Sequence, residues 1–283
     1  MLNLKKCLMK KINAILLLCS MGVVAQAQTT IIDPLTGRNT SSGNLIGYTP
    51  YAVLDNAFGT GPGLAFPSSP SGLSVNFTGT TNNIAEQALF LSPASAFTSP
   101  TFAVGDTLEV TVATPVITIS NSFTEDFGLA IAAANPVAAG SGNVYNSRTL
   151  FDWASLSIRP IQGSIRQNTS INGTLTTSSF VMSASPSAYT GLYITWVSSG
   201  AGGNVFNLGY LNSVGAQVFD DQVIFSSSST IGTDIGFYGD LRYTGQSLGN
   251  FSNLAIVVPE PTSLAICGMG GLLGLAGWMR RKK

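Results

Sequence analysis

Thr107-Leu108-Glu109-Val110-Thr111-Val112 places an apolar residue at every second position, and the same step of two recurs through most of the chain. Successive residues of a strand point to opposite faces of a sheet, so this period predicts half-buried strands. Leu73, Val75 and Phe77 alternate with polar partners, and within Gly191–Val197 the residues Leu192, Ile194 and Trp196 oppose Tyr193, Thr195 and Val197. Further strands are expected at Val116–Ile119, Phe127–Ile131, Leu156–Arg159, Phe180–Met182, Val205–Tyr210, Gln217–Phe225, Ile235–Tyr238 and Leu254–Val258. Prolines fall between these runs and rarely within them, as strands require. No twelve-residue stretch of this region carries a helical stripe. Roughly a dozen short strands between Gln28 and Val258 predict one all-β domain, an antiparallel β-sandwich. From Gln28 to about Ser71 the chain is rich in Thr, Ser, Gly, Asn and Pro, so only one or two short strands in long loops are expected there.

The two ends are of another kind. Lys10 and Lys11 precede an apolar run, Ile12–Val24, and Ala25-Gln26-Ala27 supplies small residues around a cleavage point before Gln28. Residues 1–27 therefore read as a secretory signal peptide with a helical apolar segment. Met9-Lys10-Lys11 offers an alternative start. Cys19 follows Leu16-Leu17-Leu18, not the small residue that a lipid-anchoring signal wants before its cysteine. At the other end, Thr262–Met279 holds 18 residues without a charge, about 27 Å of helix, which matches a bilayer's hydrocarbon core. Its glycines are tolerable in lipid, where no water competes for the helical hydrogen bonds. Arg280, Arg281, Lys282 and Lys283 then stop transfer and keep the end in the cytoplasm.

Directly before this transmembrane helix stands Pro259-Glu260-Pro261. The order of motif, helix and basic end resembles the PEP-CTERM sorting tail of Gram-negative bacteria. The resemblance covers residues 259–283 and implies recognition by an exosortase, an integral-membrane processing enzyme that acts near the Pro-Glu-Pro motif. It further implies a transient inner-membrane anchor, extracellular polysaccharide as a possible partner, and a final location at the cell surface or in its matrix. Each proline removes a backbone donor and fixes φ, so the motif stays extended above the helix, with Glu260 as its single charge.

Charge is concentrated at these ends. Between Gln28 and Val258 there are five arginines (Arg38, Arg148, Arg159, Arg166, Arg242), twelve carboxylates, and no Lys, His or Cys, a net charge of −7. A nucleic-acid partner needs a basic footprint and is excluded. All three cysteines, Cys7, Cys19 and Cys267, lie in the targeting segments, so the body is stabilised by a core and not by disulfides. The missing residue types remove Ser–His, Cys–His and Ser–Lys nucleophiles and the usual transition-metal ligands, and no cofactor is expected. Glu86, Glu109, Glu125, Asp126, Asp152, Asp220, Asp221 and Asp234, with a few acids nearer the front, remain for a pair of carboxylates working on a glycosidic bond. The adjacent pairs Glu125-Asp126 and Asp220-Asp221 point to opposite faces of a strand, so they read as solvated loop or strand-edge charge. A calcium site from one such pair would need a supporting Asp-x-Asp-x-Asp loop, which is absent, and no metal is expected. Trp153, Tyr189, Tyr193, Trp196 and Tyr210 could form a stacking platform for sugar rings; core packing is the stronger reading of Trp196, and Trp153 fits either. The five arginines read as too few and too dispersed for a polyanion patch.

The order of elements from Thr107 onward resembles the concanavalin-A-like lectin and glucanase jelly roll. The features are Gly105-Asp106-Thr107, Phe127-Gly128-Leu129-Ala130, Gly191-Leu192-Tyr193-Ile194, Phe206-Asn207-Leu208-Gly209-Tyr210 and Phe251-Ser252-Asn253-Leu254-Ala255-Ile256. A glucanase of that kind would carry Glu-x-Asp-x-x-Glu on one strand, and this chain has no such run. The expectation is a non-catalytic surface or matrix protein, not an enzyme, that associates with polysaccharide; a lectin-like module with a defined sugar is the alternative, and a glycan-active enzyme ranks third.

Overall fold

The computed structural model describes residues 28–40, 43, 45–55, 64–78, 85–91, 102–118, 125–133, 145–146, 152–159, 164–181, 189–226, 231–243 and 245–259. The signal peptide expected at 1–27, the apolar run 262–279 and the basic end 280–283 lie outside the described residues. Thr29–Val257 forms one compact unit.

Two antiparallel sheets face each other across a single apolar core. The nine-stranded sheet runs β15 (Gln217–Phe225), β14 (Gly203–Asn212), β13 (Tyr189–Gly200), β7 (Thr107–Thr118), β17 (Ser247–Val258), β5 (Gly72–Phe77) and β3 (Leu64–Ala65); β1 (Gln28–Asp33) pairs with β17, and β4 (Ser68–Ser69) with β5. The eight-stranded sheet runs β12 (Thr174–Val181), β11 (Ser164–Ile171), β10 (Trp153–Arg159), β8 (Asp126–Ala133), β16 (Ile231–Leu241), β6 (Ala85–Leu91), β2 (Tyr48–Asp55) and β9 (Tyr145–Asn146). The described residues contain no helix, and so none long and apolar enough to cross a membrane. An all-β antiparallel sandwich is what the alternation predicts.

The alternation also assigns the faces. Leu108 and Val110 of β7, Leu192, Ile194 and Trp196 of β13, and Phe206 and Leu208 of β14 point inward from the nine-stranded sheet. Phe127, Leu129 and Ile131 of β8, Leu156 and Ile158 of β10, and Phe237 of β16 meet them from the other. Phe127 stacks on Phe251 of β17 with ring centroids 4.4 Å apart, so one aromatic pair joins the central strands of both layers. Trp196 is core, stacked on Phe206 and tilted against Phe102.

Three strand expectations need correcting. Thr107–Val112 and Val116–Ile119 are not separate; a single twelve-residue strand, β7, runs through Pro115. Ala85–Leu91 is a strand that alternation does not reveal, because all seven residues are buried on both of its faces. The stretch before Ser71 holds β1, β2, β3 and β4, more than the one or two short strands expected.

Candidate functional site

In a two-layer sandwich the outer face of each sheet normally meets water. Over β6, β8, β10, β11 and β16 the outer face of the eight-stranded sheet does not. Residues there alternate with the core positions of β6, β8, β10, β11 and β16, and they divide into an apolar patch and a charged one. Ala88, Phe90, Ala130, Ala132, Trp153 and Tyr238 form a second apolar cluster, with Leu175 packed against it. Trp153 stacks on Tyr238 at 5.5 Å between centroids. Trp153 thus belongs neither to the central core nor to an open platform.

The charged patch follows from register. Asp240 of β16 pairs with Asp126 of β8 on one side and with Glu86 of β6 on the other, so three carboxylates stand in one row across three strands. The next row runs Ala88, Tyr238, Gly128, Ser157 and Arg166 across β6, β16, β8, β10 and β11. Gly128 has to be glycine, because a Cβ there would collide with the carbonyl of Leu156. Arg166 Nη1 donates to Asp126 Oδ2 at 2.9 Å and to Asp240 Oδ2 at 3.0 Å. Arg242 Nη2 donates to Asp240 Oδ2 at 3.2 Å. Asp126 and Asp240 are fully buried, and Glu86 and Arg159 nearly so.

Burial sets the protonation of this group. It pushes the Asp126 carboxyl up to about 8, opposed by Arg166 and reinforced by Asp240 and Glu86. Burial works against charge on Arg166, but Asp126, Tyr238 and Asp240 outweigh it and hold the guanidinium more basic than usual. Arg159 is made less basic by burial. The Tyr238 phenol is raised well above its ordinary value by burial and then by the surrounding carboxylates. Charge on the face is therefore largely matched internally. Hydrogen-bonding capacity is not: Asp126 Oδ1, Ser157 Oγ, Ser164 Oγ, Ser170 Oγ and Tyr238 Oη are buried on this one face and have no partner among the described residues.

Two readings of the sequence are overturned here. Glu125-Asp126 is not solvated edge charge. Glu125 is buried and accepts from Gln246 Nε2 at 2.5 Å, while Asp126 joins the row just described. The arginines are not dispersed either, since Arg159, Arg166 and Arg242, three of the body's five, converge on this face. Tyr238, Ser157 and Asp240 were not singled out from sequence at all.

The other candidate residues lie apart from it. Asp220 and Asp221 sit half-exposed on the edge strand β15, beside a register shift at Leu208/Gly209; burial and then Asp221 push Asp220 up to about 6. Asp234 is half-buried, and burial likewise raises it to about 6. Glu109, on the outer face of the nine-stranded sheet, accepts from Gln217 Nε2 at 3.1 Å. Asp152 accepts the backbone N–H of Asn172 at 2.8 Å and anchors the β11–β12 hairpin. Tyr189 and Tyr193 are buried and Tyr210 is half-buried against the core, so none of them is an open stacking surface. No cluster of three or more metal-ligating side chains occurs among the described residues. Gln28, the first residue after the expected cleavage point, opens β1 and is exposed, and Pro259 follows β17 and is exposed. Ala25, Ala27, Glu260 and Pro261 lie outside the described residues.

Comparison with known proteins adds two findings. Solved structures similar to the chain are legume-lectin β-sandwiches. They include basic winged bean lectin with Tn-antigen (11% identity, TM-score 0.42, 82% of this chain and 98% of the lectin) and lectin UEA-II complexed with galactose (9%, 0.43, 82% and 97%). Lectin II from Ulex europaeus aligns equally, at 9% identity with a TM-score of 0.43. No curated protein matches the chain. Residues 257–282 match the model of the PEP-CTERM protein-sorting motif, so the chain carries at its C-terminal end the signal that its Pro-Glu-Pro, apolar and basic segments resemble.

Proposed function

We propose that this chain is a non-catalytic β-sandwich protein, exported and delivered by its sorting tail to the cell surface or extracellular matrix, where its body associates with polysaccharide. The observation that carries the reading is the sorting motif at 257–282, which implies export, a membrane-anchored intermediate and processing by an exosortase. The acidic body without Lys, His or Cys supports the rest. Of the three carboxylates in the row, Asp126 and Asp240 are tied to one guanidinium nitrogen and not poised as a separate acid and nucleophile.

Fractionation of the native host followed by mass spectrometry tests this. The expected result is a mature protein that begins at Gln28, lacks the segment after the Pro-Glu-Pro motif, and is released from the extracellular fraction when polysaccharide is digested. Recovery of the chain with residues 262–283 intact and only in the inner membrane would refute it.

A further inference from the structure

The nine-stranded sheet has no cationic side chain on any of its strands. Its carboxylates are Asp33, Glu109, Asp220 and Asp221, while Arg38, Arg148, Arg159, Arg166 and Arg242 all stand outside those strands. Arg38, Arg166 and Arg242 are paired with Asp33, Asp126 and Asp240. Glu109, Asp220 and Asp221 form no ion pair among the described residues. Burial raises the Glu109 carboxyl, and burial and then Asp221 push Asp220 up to about 6, with no guanidinium to offset either. Part of the body's net charge of −7 is thus left unmatched on this sheet.

Register sorts the outer face of β13, β14 and β15 into three stripes that run across the strands. Ile224 stands beside Val205; then come Gln222, Asn207 and Thr195; then Phe219, Gly209, Tyr193 and Glu109. Ile224 is 48% and Phe219 57% exposed, so large apolar side chains meet water on both sides of the middle stripe. That stripe is made of hydrogen-bonding groups at least partly open to water, and Gln222 Nε2 donates to Asn207 Oδ1 at 3.0 Å. Gly209 has to be glycine, because the Tyr193 ring occupies the place of its Cβ and floors the third stripe. The bulge at Leu208/Gly209 sets Asp220 next to Phe219, and the charges of Asp220 and Glu109 both reach Tyr193. Gln217, exposed on β15, donates to Glu109 at 3.1 Å and ties the edge strand to β7 across this surface.

An exposed aromatic ring beside a row of side-chain amides suits a sugar, which has C–H groups on its faces and hydroxyls at its rim. The unmatched carboxylates add a choice of charge, since they attract a cationic chain and repel an anionic one. We propose that the outer face of β13–β15 binds an amine-bearing polysaccharide, with Phe219 against a ring face, Gln222 and Asn207 on hydroxyls, and Glu109 and Asp220 on ammonium groups. The assignment rests on the polysaccharide association proposed above and names the class of polymer.

Phe219→Ala and the double variant Glu109→Gln/Asp220→Asn test it, because these side chains are exposed or half-exposed and none anchors the core. The full chain, purified in detergent, is passed over an immobilised glucosamine polymer, its N-acetylated counterpart, a polyuronate and polylysine, and each variant is also unfolded in urea. The expected result is retention on the glucosamine polymer that weakens as salt rises. Both variants bind it about tenfold more weakly, at urea midpoints no lower than the original's. Unchanged binding in both variants would overturn this surface. Equal retention on the N-acetylated polymer, or retention on the polyuronate, would overturn the amine class. Stronger retention on polylysine, lost in the same variants, would make the surface one for basic peptides and overturn the sugar. No retention on the glucosamine polymer would overturn the surface, while release of the protein by polysaccharide digestion in the host would still uphold the association.

Discussion

Asp126 and Asp240 stand opposite each other on adjacent antiparallel strands and accept hydrogen bonds from the same nitrogen, Nη1 of Arg166, at 2.9 and 3.0 Å. Two carboxylates directly opposed on a sheet repel, and in a buried site little screens that repulsion. The guanidinium is what makes the row tolerable, and its own side chain is only 12% exposed. Arg166→Leu is expected to destabilise the body by about 3–5 kcal/mol, because it leaves buried carboxylates uncompensated. Urea unfolding checks this; a loss under about 1 kcal/mol, the scale of a surface ion pair, would show that the row is solvated.

The same row gives stability a pH dependence of definite sign. Asp126 titrates near 3.9 in an unfolded chain and at about 8 in the fold. Between these values the folded state holds the extra proton, so stability falls as pH rises. The contribution is complete below about pH 4 and lost as pH passes about 8. Asp220 and Asp234, each pushed up to about 6, add the same slope over the lower part of that window. The urea midpoint is therefore expected to decline from pH 5 to pH 9, and Asp126→Asn to flatten the segment above pH 6. A midpoint that rises over this range would contradict the burial of Asp126.

Register explains why half of this was legible in the sequence and half was not. In β13 one face is core and the other polar, so Leu192, Ile194 and Trp196 announce their direction. In β6 and β8 both faces are buried, so Ala85-Glu86-Gln87-Ala88 and Glu125-Asp126 break the alternation and look like surface. The charged row was out of reach for a second reason. Arg159 and Arg166 lie on neighbouring strands, but Asp240 and Arg242 come from a segment some 75 residues later, placed beside β8 only by the sheet order. No local pattern encodes that adjacency. Asn172-Gly173, by contrast, is a strong hairpin signal that stood in plain view between β11 and β12.

That turn yields a prediction of its own. Asn172 and Gly173 both take positive φ, 50° and 76°, as a two-residue turn between right-twisted strands requires. Gly173→Ala forces a Cβ into the left-handed region and is expected to lower stability by about 1–2 kcal/mol, read as a fall in the urea midpoint. Gly200→Ala is the control, since that glycine is in strand conformation with open space around it, and a small change is expected there. Equal effects at both positions would mean that the hairpin turn is not the one described.

The central claim is that the end of the chain is a sorting signal and not a plain anchor. Glu260 is the single charge between the body and the apolar run, and a proline flanks it on each side in the sequence. Glu260→Ala in the native host, followed by fractionation and detection of the segment after residue 261, measures the claim most directly. The account predicts a full-length protein stranded in the inner membrane with its tail present. A variant processed and exported like the original would contradict it, and would reduce 262–279 to a membrane anchor.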